Sequence, residues 1–393
     1  MPSVALKWKA DPPRQEWRSL LAIAKVAGAR SPGKAAIWID LARSALALGG
    51  EEDAAGPLLD AVSRMPDDAA LRIAAARVLF ALDRFEEAQA QIEAALRVDP
   101  EDRGARVLEF LSLVKMARWR EAAARIGDIA TLNRLLPQLL EVHWRVAAGP
   151  DDWIAMLALC ESILAERPGH TNAAYFRAFL LAKLGRDAEA RAAMPTDRIV
   201  AVVDLPVPEG FADRSAFNAA LRGEILSNPT LTRNPRNKST REGERTRRLR
   251  QPDAPAVEAL VGQIQAAVSA YAARQSALSE AFARTRPEQV RMDIWATVLG
   301  GDGFLMSHRH ISGWLSGAYY VAAPGGNGAG HSGALLFGAL DRERDGIEPP
   351  WEVIRIEPVP GRLVLFPSYA PHGTEAAGVD GERISIGFDV IPC

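Results

Sequence analysis

Two histidines stand one residue apart in the stretch SHRHISGWLSGAYYV, and their type and spacing suit metal chemistry. Residues i and i+2 of a β-strand point to the same face, about 7 Å apart along the chain. His308 and His310 can therefore converge on one ion, while Arg309 between them turns away. A third imidazole is available from His372 in FPSYAPHG, which follows the strand-like run RLVLF. The three histidines together predict a metal site.

A second candidate site follows in the stretch ERISIGFDV, where apolar residues alternate with others. The alternation predicts a strand with one packed face, and its opposite face carries Arg383 beside Ser385. An arginine on the buried side of a strand must find an anion, because an unpaired charge in an interior is very costly. A guanidinium binds a carboxylate through two hydrogen bonds, and the adjacent hydroxyl adds one more donor. The alternative is a structural salt bridge to a glutamate or aspartate of the chain itself.

The elements that must position these side chains are short strands. After residue 288, six β-rich runs are separated by Gly/Pro turns: VRMDIWATVL, WLSGAYYV, GALLFG, WEVIRIEPV, RLVLFP and RISIGFDVI. Closely spaced strands without intervening helices predict a jelly roll or barrel-like sandwich. Ahead of them, RIVAVVDLPVP reads as a strand, and residues 211–227 and 255–283 read as helices.

Residues 233–250, RNPRNKSTREGERTRRLR, are dense in arginine and lysine. Three interpretations are open: a solvated loop, a rim that attracts an acidic substrate, or a nucleic-acid surface. No aromatic residues are interleaved for base stacking, which counts against nucleic acid. The charge block alone favours the solvated loop.

The first half of the chain is a helical repeat array rich in alanine, leucine, arginine and glutamate. Pro32, Pro66 and Pro100 are each 34 residues apart. Alanines keep the same period at Ala54, Ala88, Ala122 and Ala190. A 34-residue period with small residues at helix crossings resembles the tetratricopeptide repeat, and residues 35–66 fit it best. The repeat at about 134–167 is degenerate, so we expect the array to be distorted there.

These features predict two domains: a helical repeat domain over residues 1–195 and a mainly β domain over residues 196–393. Helical solenoids present a concave groove, often to a peptide or another protein. By that analogy, we expect a peptide or protein partner. The repeat is informative about architecture and almost silent about chemistry.

Composition limits the remaining possibilities. The chain has 393 residues, 48% of them hydrophobic and 24% charged, with a formal net charge of −2. This balance gives no general reason to expect nucleic acid or an anionic membrane as a partner. Two cysteines, Cys160 and Cys393, exclude a disulfide framework and favour a reducing cytoplasm. No signal peptide or membrane-spanning run is evident. The oligomeric state is not determined by the sequence.

The motifs together resemble a known enzyme family. HxH followed by SGAYYV, then PGRLVLFPSYAPHGT and ERISIGF, is similar to the iron(II)/2-oxoglutarate oxygenases built on a double-stranded β-helix. The resemblance covers roughly residues 200–393, and repeats of the tetratricopeptide type recur ahead of such domains. It implies that His308 and His372 bind iron, and that Arg383 with Ser385 holds the distal carboxylate of 2-oxoglutarate. It also places STREGERTRRL near the substrate mouth.

The sequence departs from the wider superfamily at position 310, where these enzymes usually have a carboxylate ligand. Three arrangements are open. The site has three histidine ligands, or His310 lies behind the ligands, or a carboxylate comes from elsewhere, such as Asp293. The spacing from His308 favours the first arrangement. An imidazole in place of a carboxylate leaves the iron one charge more positive.

The sequence thus predicts an iron(II)- and 2-oxoglutarate-dependent hydroxylase acting on a peptide or protein side chain. Trp314, Tyr319 and Tyr320 are candidate pocket residues, and alternation places one tyrosine in the pocket and the other in packing. Two rival functions stay open. One is a cupin-type metal enzyme that does not use 2-oxoglutarate; the other is a non-catalytic repeat adaptor with a degenerate oxygenase fold.

Overall fold

The structure is a computed structural model that describes residues 6–9, 15–48, 50–235, 238–251, 253–278, 280–324, 333–341 and 345–393. Two compact units make up the chain. One comprises residues 11–147, and the other comprises residues 148–393 together with residues 1–10. Among the described residues, no helix is both long enough and apolar enough to cross a membrane.

The unit of residues 11–147 is helical. Its helices are α1 (Gln15–Arg30), α2 (Ala35–Leu48), α3 (Glu51–Arg64), α4 (Ala69–Ala81), α5 (Phe85–Val98), α6 (Arg103–Lys115), α7 (Trp119–Ala123), α8 (Ile126–Asn133) and α9 (Pro137–Val146). Pairs such as α2 with α3 and α4 with α5 bury their small residues against one another. The alanines of the predicted period show this, since Ala54, Ala88 and Ala122 are fully buried. The predicted helical repeat is confirmed.

The 34-residue period is visible in where helices begin. Helices start at residues 35, 69, 103, 137 and 171. Three residues that directly precede these helices cap them: Asp68, Asp102 and His170 each accept a hydrogen bond from the backbone N–H three residues later. A side-chain acceptor at this position satisfies a backbone donor that the first helical turn leaves unpaired. The 34-residue period is therefore visible in the residues that cap the helices as well as in the residues that pack between them.

The degenerate repeat at 134–167 coincides with the change of packing unit. The irregular helices lie just before that repeat: α7 has five residues where α3 and α5 have fourteen, and α8 is an additional short helix that ends at Asn133. The division between the compact units, at residues 147 and 148, falls within this repeat. The helices that follow keep the repeat period but pack in the same unit as the sheet. The domain boundary predicted at 195/196 therefore lies inside the second unit.

The second unit combines helices with two sheets. Its helices are α10 (Pro150–Glu166), α11 (Thr171–Lys183), α12 (Asp187–Ala193), α13 (Thr196–Ile199), α14 (Arg214–Leu226), α15 (Pro255–Leu278) and α16 (Glu280–Thr285). Its strands are β1 (Lys7–Trp8), β2 (Ala201–Asp204), β3 (Leu231–Arg233), β4 (Thr240–Thr246), β5 (Gln289–Leu305), β6 (Leu315–Ala322), β7 (Leu335–Phe337), β8 (Ile354–Ile356), β9 (Arg362–Pro367), β10 (His372–Thr374) and β11 (Gly378–Pro392).

The larger sheet has the strand order β2-β9-β6-β11-β5-β4-β3, and these neighbours run antiparallel. The short β1 joins β5 in parallel. The smaller sheet has the order β10-β7-β8 and is also antiparallel. This arrangement confirms the predicted mainly β region with flanking helices. The basic stretch contributes β4 and the end of β3, so in the described residues it forms an edge hairpin rather than a loop.

The two faces of the larger sheet differ in chemistry. One face packs under α14 and α15 in a continuous core, to which β11 contributes Ile384, Ile386, Phe388 and Val390. The intervening residues of β11 face the other way, and they include the buried Arg383, Ser385 and Asp389. A period of two separates the faces, so the strand that builds the core also presents a polar row.

Candidate metal and anion site

The histidine pair lies in the segment between β5 and β6, outside a regular strand. The sequence prediction that His308 and His310 lie together on a β-strand is therefore wrong, because β6 begins only at Leu315. The pair is positioned instead by a bridge to another strand end. His308 and His372 exchange backbone hydrogen bonds, each N–H donating to the other's carbonyl at 2.9 Å. The bridge brings their rings to a centroid separation of 4.4 Å.

Each of the three imidazoles has an oxygen at its Nδ1 atom. His308 Nδ1 is 2.8 Å from the Met306 carbonyl, and His372 Nδ1 is 3.1 Å from the Ala370 carbonyl. His310 Nδ1 is 2.6 Å from Oδ1 of Asp389. Because carbonyl and carboxylate oxygens only accept, Nδ1 is the protonated nitrogen in each ring. In a neutral ring with this tautomer, the lone pair lies on Nε2.

The Nε2 side of the rings converges. The Nε2 atoms of His308 and His310 are 3.2 Å apart, and ligand atoms of all three histidines lie within 4.8 Å of one another. A metal that holds two nitrogens at about 2.1 Å and at a right angle separates them by about 3 Å. Within the described residues this cluster contains three histidines and no carboxylate. Its geometry suits a metal ion.

The imidazoles of His308 and His372 are held in their neutral form. Desolvation and the neighbouring imidazoles keep the pKa of His308 well below its ordinary value. Burial, reinforced by His310, lowers the pKa of His372 to about 3. Neutral imidazole is the form that coordinates metals, so these two rings need not lose a proton to bind one near neutral pH.

Asp389 is a site residue to which the sequence analysis gave no role. It is 9% exposed, and the Ser316 hydroxyl donates to the same Oδ1 atom that faces His310, at 2.6 Å. Ser316 in turn contacts the Ser368 hydroxyl at 2.7 Å. The sequence signal for this residue is the alternation in ERISIGFDV, which puts Asp389 on the same face as Arg383.

Aromatic rings and one glycine shape the surroundings of the histidines. Phe366 packs against His372 with centroids 4.6 Å apart, and Trp295 stacks on His310 at 5.5 Å. The Arg245 guanidinium also contacts this network, 4.4 Å from the Trp295 ring centroid. A Cβ atom at Gly387 would come within 2.8 Å of the indole. The glycine therefore makes room for the ring that supports His310.

Arg309, between the two histidines, anchors their segment to helix α11. Its guanidinium lies 4.0 Å from the ring centroid of Tyr175 and 4.8 Å from that of Phe176. Its Nε donates to Oδ1 of Asn172 at 2.9 Å. Nearby, the Thr171 hydroxyl donates to the Gly313 carbonyl at 2.6 Å. A helix that keeps the repeat period thus holds the histidine segment in place.

Arg383 forms the second part of the site. It is 1% exposed, and its charged group meets neutral partners: Nη1 donates to Ser385 Oγ at 3.0 Å and Nε donates to the Gly333 carbonyl at 2.9 Å. Gly333 has a φ of +70°, and a Cβ there would lie 2.8 Å from the Arg383 side chain. Burial lowers the pKa of the Arg383 guanidinium. The pocket is built closely around a charge.

The described residues offer Arg383 no carboxylate within salt-bridge distance, which argues against the structural salt bridge considered from the sequence. Arg355 shows the contrasting arrangement, since it pairs with both Glu357 and Glu375. An unpaired guanidinium in an interior is costly. Arg383 is therefore a candidate anion-binding group.

The two tyrosines of β6 face opposite sides. Tyr319 lies in the core and donates to Asn218 Oδ1 at 2.8 Å. Tyr320 lies on the polar face, where the Arg383 guanidinium is 5.1 Å from its ring centroid. Its buried hydroxyl makes no hydrogen bond of good geometry within the described residues, but it lies close to the Arg383 guanidinium. Tyr320 is thus the pocket-facing tyrosine that alternation could not identify.

The other predicted site residues lie elsewhere. The Trp314 indole packs in the core against Phe282 and donates to Thr285, because its side chain points toward the helix-covered face. It does not line the histidine cluster. Asp293 pairs across strands with Asp389 but is exposed and lies outside the cluster of ligand atoms. It does not supply the missing carboxylate in this structure.

Two family models match the chain. Residues 293–389 match the family described as "Putative 2OG-Fe(II) oxygenase", and residues 50–112 match the tetratricopeptide repeat. The first match begins at Asp293 and ends at Asp389, so it spans all three clustered histidines and Arg383. The chain therefore matches a tetratricopeptide-repeat model in its helical part and the model of putative 2OG-Fe(II) oxygenases in its mainly β part.

Solved structures resemble parts of the chain at low identity. A Pseudomonas putida prolyl-4-hydroxylase is 17% identical, covers 52% of this chain and 98% of its own, and has a TM-score of 0.33. A Trichoplax adhaerens prolyl hydroxylase, in complex with a hypoxia-inducible-factor peptide fragment, is 15% identical, covers 53% of this chain and 92% of its own, and has a TM-score of 0.33. YrrB, a tetratricopeptide-repeat protein with an unusual peptide-binding site, is 18% identical, covers 44% of this chain and 92% of its own, and has a TM-score of 0.37. Comparison with curated proteins gave no match.

Proposed function

We propose that this chain is an iron(II)- and 2-oxoglutarate-dependent oxygenase that hydroxylates a side chain of a peptide or protein. The observation that carries the proposal is the convergence of ligand atoms from three histidines, together with a buried arginine that has no carboxylate partner among the described residues and lies on the same sheet face as Asp389, the partner of His310. A histidine cluster alone would suit many metal proteins, and a buried arginine alone would suit many anion sites. Together they match the two groups that such an enzyme must hold, a metal ion and a dicarboxylate.

The histidine cluster fits iron(II). The Nε2 atoms of His308 and His310 are 3.2 Å apart, and Ser239 Oγ lies 3.3 Å from the His308 atom. A metal ion held by both imidazoles would accept a lone pair from each Nε2 atom. Imidazole suits iron as a ligand, and a protein site with open positions is the usual arrangement in non-haem oxygenases. We assign His308, His310 and His372 as the metal ligands.

The Arg383 pocket fits one carboxylate of 2-oxoglutarate. Arg383 and Ser385 provide the charge-assisted donors, and the buried hydroxyl of Tyr320 would provide another. A bound carboxylate would satisfy the buried guanidinium and the buried hydroxyl at once, which offsets the desolvation cost of both groups. A dicarboxylate anchored here would leave its other end to approach the histidines along the polar face of β11.

Iron(II) held by the three histidines would supply, with dioxygen, the oxidising chemistry that turns 2-oxoglutarate into succinate and carbon dioxide while one oxygen atom goes to the substrate. The side chains of this protein would position the metal and the co-substrate and cover the imidazoles. The histidines fix the position of the metal, and Arg383 fixes the orientation of the co-substrate. Phe366 packs on His372 and Trp295 packs on His310, so each aromatic ring covers part of one imidazole. A dry pocket strengthens each of these electrostatic contacts.

The repeat region supports a peptide or protein as substrate. The matched repeats, residues 50–112, are of a type that offers a concave surface to peptides. This part of the proposal rests on the repeat class, while the reaction rests on the site. The two parts can therefore fail separately.

Anaerobic titration of the full chain with iron(II) and then 2-oxoglutarate tests the reaction class. We expect one iron per chain and a visible charge-transfer band that saturates with 2-oxoglutarate. Iron uptake without the band would favour a metal enzyme that does not use 2-oxoglutarate. Neither uptake nor band would favour the repeat adaptor. A +16 mass shift in peptides co-incubated under oxygen then tests the substrate class.

A further inference from the structure

The proposed iron site lacks the negative ligand that oxygenases of this kind usually have. A facial arrangement of two histidines and one carboxylate places a full negative charge on the metal. Three neutral imidazoles place none, and the described residues bring no carboxylate into the ligand cluster. The missing charge must come from outside the ligands or not at all.

Asp389 is placed to deliver that charge through His310. Its Oδ1 is 2.6 Å from the protonated Nδ1 of His310, on the far side of the ring from the converging Nε2 atoms. A carboxylate that accepts this proton makes the imidazole a more basic ligand and fixes which nitrogen is free. We infer that His310 and Asp389 act as one anionic unit that replaces the usual carboxylate ligand. This inference rests on the proposed iron site.

Three features of the surroundings restrict the positions of the Asp389 carboxylate and the His310 ring. Ser316 donates to the same Oδ1 atom at 2.6 Å, so that oxygen cannot swing away from the ring. A Cβ at Gly313 would lie 2.4 Å from Ser368 Oγ and 3.4 Å from the Asp389 carboxyl carbon. The absence of a side chain there lets the histidine segment pass directly over the carboxylate. Trp295, stacked on the ring, limits its rotation.

The first test is metal affinity in Asp389→Asn. Asparagine keeps the shape and an oxygen that can accept the Nδ1 proton, but it removes the charge. We expect cobalt(II), measured by competition with a coloured chelator, to bind about 10- to 100-fold more weakly than to wild type. Asp293→Asn is the matched control, because it removes the same charge from the residue paired directly across the strands and contacts no clustered histidine.

Equal cobalt affinity in wild type and D389N would overturn the inference, and so would an equal loss in D293N and D389N. The second result would mean that only the net charge of the region matters. Failure of wild type to bind either cobalt(II) or iron(II) would instead contradict the proposed function. The two failures are therefore distinguishable.

The effect of D389N on cobalt(II) affinity should change sign between two backgrounds, and this change distinguishes the proposed role from a structural one. In the H310D background, the metal has a direct carboxylate ligand and Asp389 becomes a second carboxylate close by. Like charges at short range disfavour each other. Adding D389N to H310D should therefore leave cobalt affinity unchanged or raise it, whereas D389N alone lowers it. A loss of similar size in both backgrounds would indicate a structural role and contradict the inference.

Wild-type protein offers a test that needs no folded D389N. Paramagnetic NMR of the cobalt(II)-loaded chain should show three strongly shifted, exchangeable Nδ1 protons, one per histidine ligand. H310D should remove one of them and so assign it. The His310 proton, shielded by Asp389, should exchange no faster than the other two. Only two such signals in wild type would show that His310 does not bind through Nε2 and would overturn the inference.

Discussion

The polar face of β11 has two ends that handle buried charge in opposite ways. At one end Arg383 carries a positive charge whose described partners are a hydroxyl and a carbonyl. At the other end Asp389 carries a negative charge that already accepts from His310 and Ser316. Burying a charge is tolerable when it is paired. The Asp389 end therefore has its charge paired within the protein, whereas we propose that the Arg383 end is completed by an anion from outside it.

The largest expected effect is the loss of metal binding at the end of β11 where Asp389 contacts His310. His372→Ala removes one of three proposed ligands, and the two imidazoles left cannot define the site. We expect the purified variant to retain no stoichiometric iron(II) or cobalt(II), as measured by elemental analysis after desalting. His143→Ala is the control, because this partly buried histidine belongs to the helical unit. Unchanged metal content in H372A would mean that the ion binds elsewhere.

A large effect is expected at the open end. Arg383→Leu should weaken 2-oxoglutarate binding by roughly 30-fold or more, since losing one member of a buried charge pair costs about 2–5 kcal/mol. Metal content should stay near wild type, because Arg383 touches none of the histidines. Anaerobic titration of the charge-transfer band measures the affinity.

Arg355→Leu is the matched control for Arg383→Leu. This arginine already has Glu357 and Glu375 as partners, so it should have no role in binding the co-substrate. Equal 2-oxoglutarate affinity in wild type and R383L would show that the anion site is elsewhere. The proposed contrast between the two ends of β11 would then be wrong.

An intermediate effect is expected where α11 holds the histidine segment. Arg309→Ala removes the stacking on Tyr175 and Phe176 and the hydrogen bond to Asn172. We expect a loss of roughly 1–3 kcal/mol in stability and a weaker, slower metal uptake. Thermal unfolding and cobalt(II) uptake measure the two effects. Arg309→Lys keeps the charge without the planar group, so its stability and metal uptake should lie between those of wild type and R309A. Wild-type stability and metal uptake in R309A would mean that α11 does not support the site.

The smallest expected effect distinguishes the two tyrosines. Tyr320→Phe removes a hydroxyl that makes no hydrogen bond of good geometry within the described residues, so stability should stay the same or rise. The affinity for 2-oxoglutarate should fall about 2- to 10-fold, as expected for one hydrogen bond. Tyr319→Phe removes the bond to Asn218 and should do the reverse, lowering stability without changing that affinity. If both variants behave alike, the assignment of faces is wrong.

The helical half was predictable in detail because its information is local. A 34-residue period places prolines, alanines and caps at fixed offsets, and each repeat packs mainly on its neighbours. The six β-rich runs were also recognisable, since alternation is visible in the sequence. The incorporation of the basic stretch into the sheet was not, because β4 pairs with β5 at a separation that no local pattern reveals.

The candidate site divides in the same way. His308, His372 and Arg383 were recognisable from residue type, spacing and family resemblance, and their roles stay predictions until tested. Asp389, Arg309 and the choice between the tyrosines were not recognisable. Each depends on a residue far away in the sequence, such as Asn172 for Arg309. Trp314 was misjudged, because its aromatic character did not reveal which face it occupies.

The period of the helices, the alternation of the strands and the set of groups available for chemistry are all contained in the amino-acid sequence. Which of those groups meet depends on the tertiary structure. The register of β11 against β5 and β6 sets the positions of Arg383 and Asp389 on one face. A slip of one residue would turn both into the apolar core. Long-range strand pairing therefore converts a recognisable set of residues into a site with one carboxylate behind an imidazole and one arginine open to a ligand.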